Sequence, residues 1–428
     1  MKYINKISVL LLLIVTSFSN VQAQWTTWNK YPNNYVYEHN TEGAWNVASD
    51  PAVIFEDSIY RMIVSGDRGT MANGTGDGNS IIMATSLDGY VWTTLQNGQN
   101  GVVVQGFDGD WDESMELPEL IKYGNKYKIF YCGYDPAVRD STGGLAWGDL
   151  GISESTDGVN FVKQNLLVMS RTQNWYDQDG ITDPTIVEQN DTLFMTYIGW
   201  CTQNCTMNGG SPAFYSLKAI SVDSGYTWIK KGQLDANGVI YQHPDLELNP
   251  DGTYSIFYNE DGICTGGKTG INQAIGPTPF GPFTPVTNNP IFCLGTQTFE
   301  HSGLDGGFPS IINDNGTAKL YYTGVDEINQ FYRIGLVESN TIVSIIENPN
   351  SNNKIQVFPN PATNKITVQG NLEELEKITL YNFLGQDASN FVNIIHSSHR
   401  DAIIDISNLN SGIYFLKTKT TTNKVYKQ

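Results

Sequence analysis

Positive charge is scarce in this sequence: 25 Lys and Arg stand against 44 Asp and Glu in 428 residues, a formal net charge of −19. That balance excludes nucleic acid and an acidic membrane surface as partners, since both need clustered cations to neutralise phosphate. It leaves an anionic polysaccharide open, because a local basic pocket would suffice. Long apolar runs are missing too, and beyond the N-terminal segment no stretch approaches the roughly 20 residues that cross a bilayer. Cysteine is sparse. Its five residues (Cys132, Cys201, Cys205, Cys264 and Cys293) allow an exported chain up to two disulfides and one free thiol. "WCTQNCTMNGG" brings Cys201 and Cys205 close enough to staple one loop, and no nearby His or Cys completes a zinc set. Cys132, within "IFYCG", is expected to be buried rather than reactive.

What is present begins with a leader. Met1 to Ala23 combines basic residues (Lys2, Lys6), the apolar run "ISVLLLLIV" and the small-residue ending "VQA", the pattern of a secretory signal peptide. The mature chain is expected to start at Gln24. No cysteine follows the cleavage point, so a lipid anchor is not expected.

Five segments then fall into register on their prolines: "SDPAVIFEDSIYRMIVSG", "ELPELIKYGNKYKIFYCG", "TDPTIVEQNDTLFMTYIG", "HPDLELNPDGTYSIFYNE" and "FPSIINDNGTAKLYYTG". Pro51, Pro118, Pro184, Pro244 and Pro309 stand 67, 66, 60 and 65 residues apart, and a fixed period of this kind marks a repeat architecture. Each unit reads as a hairpin: an apolar strand, a turn carrying Asn, Asp or Gly, and an aromatic strand with alternating character. A third strand, a turn and a fourth strand follow most hairpins. With little helical periodicity, the pattern predicts an all-β protein: a five-bladed β-propeller over residues 24–345, a linker over 346–353, and a small C-terminal β-sandwich of short alternating strands over 354–428.

The turns "SLDGYVW", "STDGVNF" and "SVDSGYTW" resemble the Asp-box of sialidases. Their place between third and fourth strands, away from the channel mouth, makes them structural, with an Asx-type side chain organising the turn. A sialidase would also need an arginine triad, which the six arginines do not assemble. The tail, with "FPNPATN", "NLNSGIYFLK" and a lysine-rich end, resembles the C-terminal sorting domain of type IX secretion cargo in Bacteroidetes. The resemblance implies the type IX machinery as partner and a secreted or surface-attached product; separately, a monomer is expected.

In a propeller the first strand of each blade lines the central channel, so residues beside the repeated proline are expected at its mouth: Asp50, Glu116, Asp183 and His243. The connections after the second strands should wall the pocket, bringing Arg68, Arg139, Trp147 and Trp200; aromatics with a few polar groups suit a sugar ring. "SDPAV" and "TDPTI" on five blades resemble the glycoside hydrolases of families 43 and 32. The resemblance implies that Asp50 acts as base or nucleophile and that Asp183 orients substrate, on a plant or algal polysaccharide or oligosaccharide. The family's acid, a Glu-x-Pro in the blade after the second aspartate, is replaced by "YQHPDLE" with Gln242 in its place. Three assignments follow: Glu116 of "ELP" as the acid, His243 as the acid, or no acid and a glycan-binding propeller. A phosphorylase of the same fold is a further alternative, with Arg68 or Arg139 for the phosphate. No cofactor is required. His301 is expected to face a structural calcium, as the resemblance to arabinan-cleaving relatives implies. "DGDWDESMELPE" also imitates a calcium loop, through Asp108, Asp110, Asp112 and Glu119, but Glu113 stands where its sharp turn needs glycine.

Overall fold

Each repeated segment forms an antiparallel hairpin in the computed structural model. Ser49–Glu56 pairs with Ile59–Asp67, Ser114–Tyr123 with Lys126–Tyr134, Gly180–Gln189 with Thr192–Cys201, Gln242–Leu248 with Tyr254–Cys264, and Gly307–Asp314 with Thr317–Asp326. The structure describes residues 24–25, 27–39, 47–67, 79–107, 109–135, 148–201, 213–235, 238–249, 251–300, 306–314, 317–326, 328, 331–342, 356–369, 378–382, 386–397, 401–418 and 422–428. It divides into two compact units, Met1–Ser344 and Ile345–Gln428.

In the first unit each hairpin continues outward into a third strand, making five sheets among the described residues. The five first strands contact one another in a closed circuit around an axial channel: Ser49–Glu56 lies beside Ser114–Tyr123, that beside Gly180–Gln189, then Gln242–Leu248, then Gly307–Asp314, which returns to Ser49–Glu56. Because each is the inner edge of its sheet, the repeated proline costs no ladder hydrogen bond. The residue before each proline has positive φ: Asp50 (53°), Leu117 (53°), Asp183 (52°), His243 (46°) and Phe308 (46°). The pairing register shifts there in all five sheets, so each is a β-bulge that re-aims the strand.

Side chains stitch the circuit together one position beyond the prolines. Glu119 Oε1 accepts the Ile186 N–H at 2.9 Å, Thr185 Oγ1 that of Leu246 at 2.9 Å, Asp245 Oδ2 that of Ile311 at 2.6 Å, and Ser310 Oγ that of Val53 at 3.0 Å. Ala52 holds the fifth equivalent position and has no oxygen to offer.

The Ser-x-Asp turns sit between third and fourth strands. Asp157 Oδ1 accepts the Ser155 hydroxyl at 2.8 Å and the Val159 and Asn160 N–H groups at 2.9 and 2.8 Å, and Asp88 and Asp223 repeat the arrangement. Their aromatics pack against neighbouring sheets, Trp92 on Tyr321 at 5.5 Å and Trp228 on Phe130 at 5.9 Å. The fifth sheet takes its outer strands from the other end of the chain: Gln24–Trp25, Asn29–Lys30 and Tyr37–Glu38 all pair with Phe331–Ile342. Lys30 Nζ there meets the fully buried Glu300 carboxylate at 2.6 Å.

Among the described residues the second unit holds two antiparallel sheets, one of four strands and one of three. Ile366, Val368, Leu380, Ile404, Leu416 and Val425 form its core.

Candidate active site

The bulges decide what faces the channel mouth. In a regular strand successive side chains point to opposite faces, but a left-handed residue at a bulge turns both itself and its predecessor inward. Ser49 and Asp50, Glu116 and Leu117, Thr182 and Asp183, and Gln242 and His243 consequently line one cavity of about 750 Å3, with Phe308 closing the ring. This corrects the sequence register for Glu116. Leu117, not Glu116, precedes the proline of the second sheet; the carboxylate reaches the cavity from one position earlier.

The strained ring residues are held from the adjacent sheet. The Asp50 N–H donates to Thr323 Oγ1 at 3.0 Å, that of Leu117 to Ser65 Oγ at 2.9 Å, and that of Phe308 to Asn259 Oδ1 at 3.2 Å. Non-glycine residues of positive φ persist where surrounding structure over-determines them, and they collect at functional sites.

Four titratable groups from the first strands converge on the cavity, which Asp261 and Tyr332 line as well. Asp50, itself buried, accepts the Ser49 hydroxyl at 3.2 Å. Burial and the nearby Glu116 charge, aided by Asp183, push its carboxyl up to about 7, against a hydrogen bond from Ser65. Glu116 is also raised by burial and by Asp183, while hydrogen bonds from Tyr134 and Asn79 oppose the shift. Asp183 Oδ1 sits 2.5 Å from His243 Nδ1. Burial disfavours charge on that imidazole, but the Asp183 carboxylate more than offsets it and the His243 pKa rises. The ring of His243 lies on Phe308, centroids 3.8 Å apart. Trp200 and Phe214 form an edge-to-face wall at 4.5 Å, and the Trp200 indole N–H donates to Thr182 Oγ1 at 2.8 Å.

Of the residues expected from sequence, the structure brings together Asp50, Glu116, Asp183, His243 and Trp200. Arg68, Arg139, Trp147, His301, Asp108 and Cys205 lie outside the described residues. The calcium-loop imitation disperses: Asp112 binds the Tyr131 hydroxyl and Lys163, both at 2.8 Å, and Glu119 belongs to the channel stitching. Among the described residues no group of three His, Cys, Asp or Glu converges as a metal cage. Cys132 is buried and free, Cys264 pairs with Cys293, and Cys201 is disulfide-bonded. Sequence reasoning missed Asn79, Tyr134, Phe214, Asn259 and Phe308. Phe308 was available as the fifth member of the pre-proline series; the others carry no local signal.

Residues 356–428 match the secretion system C-terminal sorting domain. The protein is a cargo of type IX secretion, delivered to the cell surface or extracellular space. Among the described residues no helix is long and apolar enough to cross a membrane. Residues 116–253 match the N-terminal domain of glycosyl hydrolases family 32. No curated protein sequence matches the chain. Solved structures align over most of the first unit. A glycoside hydrolase of 17% identity gives a TM-score of 0.56 over 73% of this chain and 92% of its own. A glycosyl hydrolase from Bacteroides ovatus, 13% identical, gives 0.52 over 74% and 94%. A structure from the GH130 family of mannoside phosphorylases, a family said to contain hydrolases of β-1,2 mannosidic linkages in Candida mannan, gives 0.52 at 15% identity over 74% and 94%. At such identities the likeness speaks for the fold, which is that of carbohydrate-active propellers.

Proposed function

We propose that the first unit is a glycoside hydrolase acting on plant or algal polysaccharide or its oligosaccharides, with Glu116 as general acid, Asp50 as general base and Asp183 as the orienting carboxylate. The observation that supports this most is the convergence of Asp50, Glu116, Asp183 and His243 on one cavity. Glycosidic cleavage needs two carboxyl groups flanking the bond. Glu116 gives its proton to the glycosidic oxygen, so the bond from the anomeric carbon to that oxygen breaks and the leaving group departs as an alcohol. Asp50 takes a proton from water as the water oxygen attacks the same carbon. Burial and the Glu116 charge raise the Asp50 carboxyl, and burial with the Asp183 charge raises Glu116, so both carboxyls hold a proton to higher pH than free ones. His243 fixes Asp183 for the sugar hydroxyls, and Trp200 with Phe214 offers an apolar wall for the ring. Phosphorolysis would need a cation for the phosphate, and the described residues facing the cavity include no Lys or Arg.

The test is product release by the mature protein on arabinan, xylan, fructan, mannan and marine galactan oligosaccharides, with Asp50→Asn alongside. One substrate is expected to be cleaved, with turnover in Asp50→Asn reduced about 1000-fold. Binding of a sugar with no cleavage of any would replace hydrolysis by glycan capture.

A further inference from the structure

Glu116 is gripped on one oxygen. The Asn79 amide and the Tyr134 hydroxyl both donate to Oε1, Tyr134 at 2.5 Å, and among the described residues no hydrogen bond reaches Oε2. The two donors come from different sheets. Asn79 opens Asn79–Ser86 in the first sheet and is tied by its own N–H to Ser114 Oγ at 2.9 Å; Tyr134 ends Lys126–Tyr134 in the second and is buried.

A protonated carboxyl has one oxygen that only accepts and one that carries the proton. The Asn79 amide nitrogen can only donate, so Oε1 is the accepting oxygen. We propose that Tyr134 and Asn79 are positioning residues for the acid, holding Oε1 so that the carboxyl plane is fixed and Oε2 is the oxygen that delivers the proton to the glycosidic bond. The inference rests on Glu116 being the acid. The groups facing Glu116 are Asp50 from the first sheet, Asp183 from the third, and Tyr134 and Cys132 from its own sheet. Only the two hydrogen bonds favour its ionised form. Removing either makes Glu116 hold its proton to higher pH. Since a general acid works only while protonated, the alkaline limb of the rate profile then moves upward.

Two measurements on the full-length protein separate the positioning from the chemistry. Glutamate carboxyls labelled with carbon-13 are titrated by NMR, the Glu116 signal being identified by its loss in Glu116→Gln. Its midpoint is expected to move up in Tyr134→Phe and in Asn79→Ala; an unmoved or lowered midpoint in both overturns the positioning. In parallel, 4-nitrophenyl and 2,4-dinitrophenyl arabinosides, xylosides, galactosides and mannosides serve as rate probes. Tyr134→Phe is expected to lower kcat on the cleaved 4-nitrophenyl glycoside about three- to tenfold, with KM little changed and the alkaline limb displaced upward. The loss should shrink for the 2,4-dinitrophenyl glycoside, whose leaving group needs no proton. Full activity of Glu116→Gln on the 4-nitrophenyl glycoside would overturn the acid assignment itself, whatever the titration gives.

Discussion

Glu119, Asp245 and Glu247 line the channel away from the cavity mouth, around a space of about 330 Å3. Burial and then the Asp245 charge push the Glu247 carboxyl up to about 8, and burial raises Asp245 to about 7. A carboxyl whose folded pKa exceeds its unfolded one opposes folding once ionised. The penalty is absent below the ordinary value of 4.5, grows as pH rises and is complete above about 8. Glu247→Gln should therefore stabilise the protein at pH 9, by about 2 kcal/mol after discounting for water in the open cavity, and not at pH 4. Denaturant midpoints at the two pH values check this; an equal effect at both would refute it. At this scale the sequence showed Asp50, Asp183 and His243, because each sits beside a proline that indexes the repeat. It did not show that Leu117 takes the equivalent place in the second sheet. A bulge turns two consecutive residues inward, so a period-two pattern misplaces Glu116 by one. Asn79 reaches Glu116 from the neighbouring first sheet and Tyr134 across the hairpin of its own sheet, contacts that no local spacing encodes.

At the scale of elements, although strands such as Lys126–Tyr134 and Thr317–Asp326 prove buried on both faces rather than alternating, the hairpins were legible because two apolar runs flank a turn of Asn, Asp or Gly. So were the Ser-x-Asp turns, whose geometry is local. Ser155 Oγ bonds the Asp157 carboxylate at 2.8 Å and accepts the Asp157 and Gly158 N–H groups at 3.2 and 3.0 Å. Ser155→Ala leaves those two amides without their acceptor and should cost about 1 to 2 kcal/mol, read by thermal or denaturant unfolding, with the active cavity undisturbed. A loss of activity without loss of stability would contradict a structural role for these turns. Not legible was the stitching by Glu119, Thr185, Asp245 and Ser310, since its residue types differ from sheet to sheet while the geometry repeats.

For the whole molecule, the composition change after the repeats announced a second unit, and the structure divides the chain at Ser344 and Ile345. Each unit has its own core. Ending the chain after Ser344 should leave the propeller's unfolding transition and any glycosidase activity in place while removing export. Calorimetry of both lengths checks this: the full chain is expected to show one transition more than the shortened one, and a shifted propeller transition would argue against independent units. The N-terminal clasp on the fifth sheet was not foreseen, because Gln24–Trp25 and Asn29–Lys30 are too short to read as strands and their partner lies at the far end of the repeats.

That clasp also orders events in time. A chain that emerges with its N-terminus first presents Trp25 and Lys30 long before Phe331–Ile342 and Glu300 exist to receive them. The circuit of sheets can be sealed only after the last of them has appeared, and the earliest residues made are among the last to find their places. Pairings so distant in sequence are slow to form, so the circuit stays open at least until Phe331–Ile342 has been made, while each hairpin, being local, can pair before then.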